Sequence, residues 1–255
     1  MSGKLATAER VSRDASDNFV FQRSLLAYRE AAKRISGQVL EIGTGAGYGI
    51  EVVAPHADRF VTLDKHVPEG DIPGMEHAVF MQAEVPPLPF DSNAFDCVIS
   101  FQVIEHIRRD LDFVAEAARV LRPGGLLVLT TPNAPMSLTR NPWHVREYTA
   151  DQLRNLLGSR FAEVEILGVF GNDKVTAYYE NNRRSVERIA RFDVLDLQHR
   201  LPRWMLQLPY DLLNRINRRR LLEQDRGLTL SITAEDYRLA PADESCYDLF
   251  CIARK

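Results

Sequence analysis

Cysteine, long apolar runs and net charge are all scarce in this chain. Its 255 residues include three cysteines and no Cys-x-x-Cys pair, which argues against a disulfide framework and against a zinc site of paired cysteines. No apolar run approaches the roughly 20 residues that a membrane-spanning helix needs. The N-terminus shows no apolar signal core, so a cytoplasmic location is expected. The formal net charge of −3 implies no overall attraction to nucleic acid.

The most informative stretch that is present lies at residues 39–49. A β-branched apolar strand pattern ends there in alternating glycines and continues into a helical pattern. Strand, glycine turn and helix together bring backbone N–H groups close to a ligand. The dinucleotide-binding spacing Gly-x-Gly-x-x-Gly fails, because Tyr48 stands where the third glycine would be. That failure, together with Glu41, weighs against an NAD-binding oxidoreductase, which is one alternative.

Further segments follow the glycine turn in order along the chain. The strand pattern Arg59–Asp64 ends in a carboxylate, and Ala83-Glu84 follows. Later come a strand pattern at 94–101, an Arg-Pro-Gly-Gly turn within 119–125 and a strand pattern at 126–131. With an acidic residue two places before the first glycine and the spacing Gly-x-Gly-x-Gly, these segments resemble the class I S-adenosylmethionine-dependent methyltransferases. The resemblance covers residues 38–170.

The resemblance implies an α/β, Rossmann-like fold with a seven-stranded, mostly parallel sheet and an antiparallel last strand. The segments 164–170 and 246–253 would be the closing pair of strands. A helix is expected over residues 14–35, and the capping box Thr149 to Gln152 predicts another over 151–157. The expected division is an N-terminal helical segment at 1–37, a core at 38–170, a helical insertion at 171–240 and a closing strand at 241–255.

The cofactor implied by the resemblance is S-adenosylmethionine, with S-adenosylhomocysteine as its product. Glu41 is then expected near the cofactor's ammonium group, and Asp64 is expected to accept hydrogen bonds from the ribose hydroxyls. Gln82 stands where the family often has an acidic residue near the adenine. The remaining candidate cofactor-binding residues are Gly43, Thr44, Gly45, Gly47, Lys65, Ala83, Glu84, Phe101 and Gln102.

A possible metal motif follows the fourth predicted strand. Two subfamilies, the ubiquinone-pathway O-methyltransferases and the small-RNA 2′-O-methyltransferases, carry Glu-x-x-Glu-His there and bind a divalent cation. This chain has Gln102 in place of the first glutamate, followed by Glu105 and His106. An amide is a poor ligand beside a carboxylate, so no metal is predicted. His106 is instead expected near the cofactor and is a candidate catalytic residue.

The segment 141–149 should lie above the carboxyl edge of the sheet, where ligands bind in such folds. It resembles the His-x-x-Glu-[Tyr/Phe]-[Ser/Thr] segment of family members that act on small molecules, glycans and RNA ends. His144 is the candidate general base, because imidazoles titrate near neutral pH. Trp143, Arg146 and Tyr148 are candidate substrate-binding residues. Arg146 and Tyr148 have the alternative of tying the loop to a neighbouring helix.

The expected reaction is direct methyl transfer to a small-molecule, sugar or lipid-linked acceptor. Oxygen is favoured as the accepting atom, since a hydroxyl proton needs a base. An RNA-directed methyltransferase and a non-catalytic cofactor-binding module remain alternatives, although nucleic acid is not the favoured partner.

Arginine and large apolar residues alternate through the expected insertion at 171–240, and Pro202 and Pro209 are predicted to break it into short helices. Four roles stay open for it. It could be a lid over the substrate, a subunit interface of a homodimer, a basic amphipathic surface on anionic lipid or on a lipid-linked substrate, or a nucleic-acid groove.

Overall fold

A computed structural model describes residues 11–68, 77–191, 193 and 196–255. These residues form one mixed sheet with helices on both faces. The strands lie in the order β3-β2-β1-β4-β5-β8-β6-β7. Their bounds are β1 Gln38–Ile42, β2 Arg59–Asp64, β3 Ala78–Gln82, β4 Phe95–Phe101, β5 Leu121–Pro132, β6 Glu163–Gly171, β7 Tyr237–Pro241 and β8 Asp248–Arg254.

Among the described residues, an α-helix precedes each of β1, β2, β5 and β6, and four α-helices follow one another after β6. The bounds of the α-helices are α1 Asn18–Ala32, α2 Ile50–Val53, α3 Asp110–Val120, α4 Ala150–Gly158, α5 Asp173–Ala190, α6 Leu197–Arg200, α7 Arg203–Gln224 and α8 Arg226–Ser231. Helix α4 begins with the predicted capping box, in which Thr149 and Gln152 each bond the other's backbone. In the described part of the chain, no helix is long and apolar enough to cross a membrane.

Both faces of the sheet are buried, as expected when helices cover a parallel sheet. Successive residues of a strand point to opposite faces. Leu40, Val98 and Leu127 therefore pack in one core with α3 and α4. Their neighbours Val39, Ile99 and Val128 pack in the other core with α1. The three cysteines are buried free thiols.

The mostly parallel α/β sheet with antiparallel closing strand is confirmed. Strands β1 to β5 pair in parallel, and β8 lies antiparallel between β5 and β6. The prediction of seven strands was wrong, because β7 adds an eighth, antiparallel to β6 at the sheet edge. This short strand lies at the end of the stretch expected to be helical, and its five residues give only a weak alternating pattern.

The described residues between β6 and β8 form four α-helices, a short 3-10 helix at Ala234–Asp236 and β7. Pro202 precedes α7, but Pro209 lies inside it, so the prediction that Pro209 breaks the helix was wrong. This proline lies in the second turn, where it costs one backbone hydrogen bond that the rest of a long helix outweighs. Arg218 of α7 forms an ion pair of 2.6 Å with Asp17, which precedes α1. The division of the chain into domains stays a prediction.

Candidate active site

The glycine turn lies between β1 and α2, at the carboxyl edge of the sheet. Gly43, Gly45 and Gly47 have φ of 97°, 56° and 78°, in the left-handed region that favours glycine. A Cβ at Gly43 would lie 2.4 Å from Cγ2 of Val103, so a larger residue would collide there. A Cβ at Gly45 would meet no atom within 4 Å. The turn therefore presents backbone to a space that a ligand can enter.

Glu41 lies buried beneath this turn in a network of hydroxyl groups. Its carboxylate accepts hydrogen bonds from the Tyr28 hydroxyl at 2.8 Å and from Thr62 Oγ1 at 2.6 Å. The hydroxyl of Thr44 lies 2.6 Å from that of Thr62. Burial raises the pKa of Glu41 to about 7, although these hydrogen bonds lower it in part. A cationic group placed beside this carboxylate would favour its ionised form.

Tyr28 connects the N-terminal helix to the site. Its ring packs edge-on against Phe101, with centroids 4.8 Å apart. A Cβ at Gly49 would lie 2.0 Å from Cε1 of Tyr28, so α1 rests directly on the segment that follows the glycine turn. The helix predicted near residues 14–35 thus covers the cofactor side of the sheet.

Asp64, at the end of β2, lies next to the glycine turn. Its Oδ2 accepts a hydrogen bond of 2.9 Å from the Gly45 amide, and its Oδ1 accepts one of 2.9 Å from the His66 amide. Lys65 is exposed beside it. The side chain expected to bind ribose hydroxyls therefore also fixes the loop after β2 against the turn.

The end of β3 lies beside Asp64 and Lys65. The Ala83 amide donates to the Asp64 carbonyl at 3.0 Å, and Nε2 of Gln82 donates to the Lys65 carbonyl at 3.0 Å. Glu84 follows and is exposed. The structure thus brings Ala83 and Glu84 to the edge where the adenine is expected, and it uses Gln82 to hold the loop after β2.

The end of β4 turns sharply away from the sheet. Gln102 has a positive φ of 55°, its amide donates to the Thr130 carbonyl at 2.9 Å, and its side-chain Nε2 lies 3.4 Å from Thr130 Oγ1. Gln102 therefore does not share a helix with Glu105 and His106. The latter two lie on a short 3-10 helix, Ile104–His106, which begins only after this left-handed residue.

Glu105 is buried under the 141–149 loop. One carboxylate oxygen accepts a hydrogen bond of 3.1 Å from Thr131 Oγ1, and the other has no hydrogen-bond partner among the described residues. Burial raises the pKa of Glu105 to about 7. Its backbone carbonyl accepts the amides of Val145 at 2.6 Å and Arg146 at 3.2 Å, which fixes the loop above it.

His144 is held by two neighbours in the same loop. Its Nδ1 bonds Oε1 of Glu147 at 2.6 Å, and its Nε2 lies 2.8 Å from the side-chain amide nitrogen of Asn141. A carboxylate can only accept, so the Nδ1 proton points to Glu147 and Nε2 carries the lone pair. That is the arrangement a general base needs, with the Asn141 amide donating to the basic nitrogen.

The rings of His106 and His144 meet edge-on, with centroids 5.0 Å apart. Nδ1 of His106 bonds the Trp143 carbonyl at 3.1 Å. Burial is the main cause that lowers the pKa of His106 to about 4, so this imidazole is neutral near pH 7. Ligand-type atoms of Glu105, His106 and His144 lie within 4.8 Å of one another. Such a cluster could hold a cation, so the predicted absence of a metal stays a prediction.

The three candidate substrate residues contact other elements. Nε1 of Trp143 donates to Oδ1 of Asp211 on α7 at 2.9 Å. Arg146 forms an ion pair with Asp110 at the start of α3, and the Tyr148 hydroxyl donates to the same carboxylate at 3.0 Å. These are contacts of a loop anchor, which favours the alternative interpretation of Arg146 and Tyr148. Their role toward a substrate stays a prediction.

Several residues of this site were not singled out from the sequence. Glu147 is the glutamate of the His-x-x-Glu segment, which gave it no stated role, and Asn141 lies three residues before His144. No local sequence pattern pointed to Tyr28, Thr62 or Asp211, because each of them contacts its partner only after the chain has folded.

Comparison with known proteins agrees with this architecture. A family described as "Methyltransferase domain" matches residues 40–129. A probable S-adenosylmethionine-dependent methyltransferase of Mycobacterium tuberculosis is 38% identical over 178 residues, which span 64% of each chain. A probable S-adenosylmethionine-dependent methyltransferase of Mycolicibacterium smegmatis is 32% identical over 251 residues, covering 92% of this chain and 86% of that protein. The chain belongs to the S-adenosylmethionine-dependent methyltransferases.

The fold of solved methyltransferases is shared as well. A Thermotoga maritima S-adenosylmethionine-dependent methyltransferase, described as a possible histamine N-methyltransferase, superposes with a TM-score of 0.58 at 14% identity and covers 93% of this chain and 92% of that one. At this identity the likeness shows the fold alone.

The cofactor of this methyltransferase is S-adenosylmethionine. The described residues fit it. Gly45 borders open space, the carboxylate of Asp64 ends β2 beside the turn, and a second carboxylate, that of Glu41, lies under the turn. These are suited to a ligand with ribose hydroxyls and an ammonium group.

Proposed function

We propose that this methyltransferase methylates a hydroxyl oxygen of a small-molecule, sugar or lipid-linked acceptor, with His144 as general base. The observation that carries the proposal is the clamp on His144, in which Glu147 bonds Nδ1 and leaves the lone pair on Nε2. A base of this kind matters for a hydroxyl acceptor, whose proton must leave as the new bond forms.

The transfer needs little covalent chemistry from the protein. S-adenosylmethionine supplies a methyl group already activated by its sulfonium. With the cofactor bound, the acceptor oxygen would form the new C–O bond as the electron pair of the C–S bond stayed on sulfur, and Nε2 of His144 would accept the proton of the hydroxyl. Glu147 stabilises the imidazolium that results. The acceptor hydroxyl takes the place of the Asn141 amide at Nε2, and the rest of catalysis is positioning.

Two helices of the stretch 171–240 contact the loop that carries His144. Nη2 of Arg203 on α7 donates to the Val145 carbonyl at 2.8 Å, and Nη1 of Arg140 donates to the Gln198 carbonyl on α6 at 2.9 Å. Helices α6 and α7 therefore hold the loop that carries His144. We propose that they act as a lid and influence the choice of acceptor. In Arg203→Ala, the acceptor KM should rise while S-adenosylhomocysteine binding is unchanged.

The test is a search for labelled products in cell extract supplied with labelled S-adenosylmethionine, followed by kinetics on the acceptor found. His144→Gln should lower kcat roughly 10²- to 10⁴-fold. His56→Gln, an exposed histidine outside the site, is the matched control. Label found in RNA would support the RNA-directed alternative. Full activity of His144→Gln, or labelling of a nitrogen, would contradict the proposed base and oxygen acceptor.

A further inference from the structure

Helix α7 has an outer face that is apolar without interruption. Between residues 203 and 218, every exposed position of the helix holds an apolar residue. The large side chains of this outer face are Trp204, Met205, Leu208, Leu212, Leu213 and Ile216. Leu208 is 74% exposed and Trp204 72%, whereas most large apolar side chains of the protein are buried. At 1.5 Å per residue the outer face extends over about 18 Å.

The inner face of the same helix is already used. Asp211 bonds Trp143, Asn217 bonds Ser185 of α5 at 2.6 Å, and Leu221 is buried in the core. The helix is therefore fixed in its rotation about its own axis. Its outer face cannot turn inward without breaking these contacts, so the exposed apolar side chains need an external occupant.

Arginine borders this outer face at both ends. Arg200 precedes it, and Arg219 and Arg220 follow it, all three exposed. Helix α7 contains five arginines and only two acidic residues, Glu223 and the buried Asp211. The whole chain carries a formal net charge of −3, so positive charge is concentrated on this helix.

We propose that the outer face of α7 docks on an anionic lipid surface. Apolar side chains including a tryptophan, flanked by arginines, match the acyl boundary and the anionic headgroups of such a surface. A second copy of this chain fits less well. In a two-fold, antiparallel pairing of α7, Arg219 and Arg220 would approach the partner's Arg200, and like charges would meet.

Docking would place the inner side of α7, and the His144 loop that it contacts, close to the lipid surface. This inference does not rest on the proposed reaction, because lipid binding is measured without methyl transfer.

The experiment is flotation of the 255-residue chain with two kinds of vesicle, phosphatidylcholine alone and phosphatidylcholine mixed with an equal amount of phosphatidylglycerol. Binding to the anionic vesicles should be roughly 10- to 30-fold stronger, since Arg219 and Arg220, two of the three exposed arginines, gain headgroup contacts. It should weaken at high salt, because screening shortens the range of these charges.

Two variants with one matched control decide which face binds. Leu208→Glu should weaken vesicle binding more than about 10-fold, because it places a charge among the side chains that enter the lipid. Arg219→Glu should remove the preference for anionic vesicles. Leu111→Glu alters a leucine that is 59% exposed on α3, which packs on the opposite face of the sheet, and should bind as the unaltered protein does.

Circular dichroism shows that each variant is folded before vesicles are added. Three results would overturn the proposal: no binding of the unaltered protein, equal binding to both vesicle types, or full binding by Leu208→Glu. A fourth contradicting result would come from sedimentation of the protein without vesicles. A dimer that Leu208→Glu disrupts would identify a second copy of this chain as the occupant of the outer face.

Discussion

The indole nitrogen of Trp143 donates a hydrogen bond of 2.9 Å to Oδ1 of Asp211 and so joins the loop of the candidate base to α7. Asp211 is buried, so its carboxylate depends on such donors. The residue before His144 is thus held by a helix that follows it by many residues in the chain, and helix and loop should respond together to substitution.

Trp143→Phe tests this connection. An aromatic ring is kept, while the five-membered ring of the indole and its N–H are lost, which leaves a buried carboxylate oxygen without this donor and should cost about 1–3 kcal/mol of stability. Asp211→Asn retains an acceptor oxygen and should cost less. Thermal unfolding measures stability, and kinetics should show a larger loss in acceptor turnover than in S-adenosylhomocysteine affinity. Equal stability of Trp143→Phe and the unaltered protein would show that the bond is dispensable.

Glu41 should make cofactor binding depend on pH. Its pKa of about 7 in the free protein means that it is about half protonated at pH 7. The ammonium of S-adenosylhomocysteine favours the ionised form, so binding should release up to about half a proton and strengthen as the pH rises through 7. Calorimetry in buffers of different ionisation enthalpy counts the protons. Binding of S-adenosylhomocysteine to Glu41→Gln should release fewer protons, and an unchanged number would contradict the role of Glu41.

The same raised pKa has an opposite effect on the free protein. Between pH 4.5, the ordinary pKa of a glutamate, and about pH 7, Glu41 binds more protons in the folded state than in the unfolded state. Stability should therefore fall as the pH rises through this window. In denaturant titrations, the stability of Glu41→Gln should fall less as the pH rises. If this variant keeps the full pH dependence of stability, the dependence comes from another group, for example Glu105.

Asp64 should carry much of the affinity for the cofactor. Its carboxylate faces the glycine turn and is expected to accept the ribose hydroxyls, so Asp64→Ala should weaken S-adenosylhomocysteine roughly 10- to 100-fold. The rise in melting temperature on ligand addition should shrink accordingly. The matched control is Asp58→Ala, which removes an exposed aspartate just before β2, at the far end of the same strand. An undiminished shift in Asp64→Ala would mean that the ribose is held by other residues.

Methyl transfer should not require a metal. Gln102 replaces the carboxylate that the metal-dependent subfamilies place there, and its left-handed backbone sets it apart from the Glu105–His106 turn. Treatment with EDTA should leave turnover unchanged. Loss of activity on chelation, restored by a divalent cation, would instead make Glu105, His106 and His144 its ligands, since their atoms already lie within 4.8 Å of one another.

The sequence by itself determined the strand-by-strand order of the core. The glycine turn, the carboxylate that ends β2 and the apolar runs of β4 and β5 are local patterns, and each was found within a few residues of its predicted place. Backbone sterics at the glycines and the burial of short apolar strands act over short stretches, so the sequence suffices to predict them.

Only the tertiary structure decided how the side chains of the site are partnered. Tyr28 and Thr62 reach Glu41 from different elements, Asp110 receives both Arg146 and Tyr148, and Asp211 receives Trp143. The same holds for β7, whose five residues become a strand by pairing with β6. Such contacts join residues far apart in the chain, and their energy depends on burial and geometry that exist only once the sheet and its helices have packed.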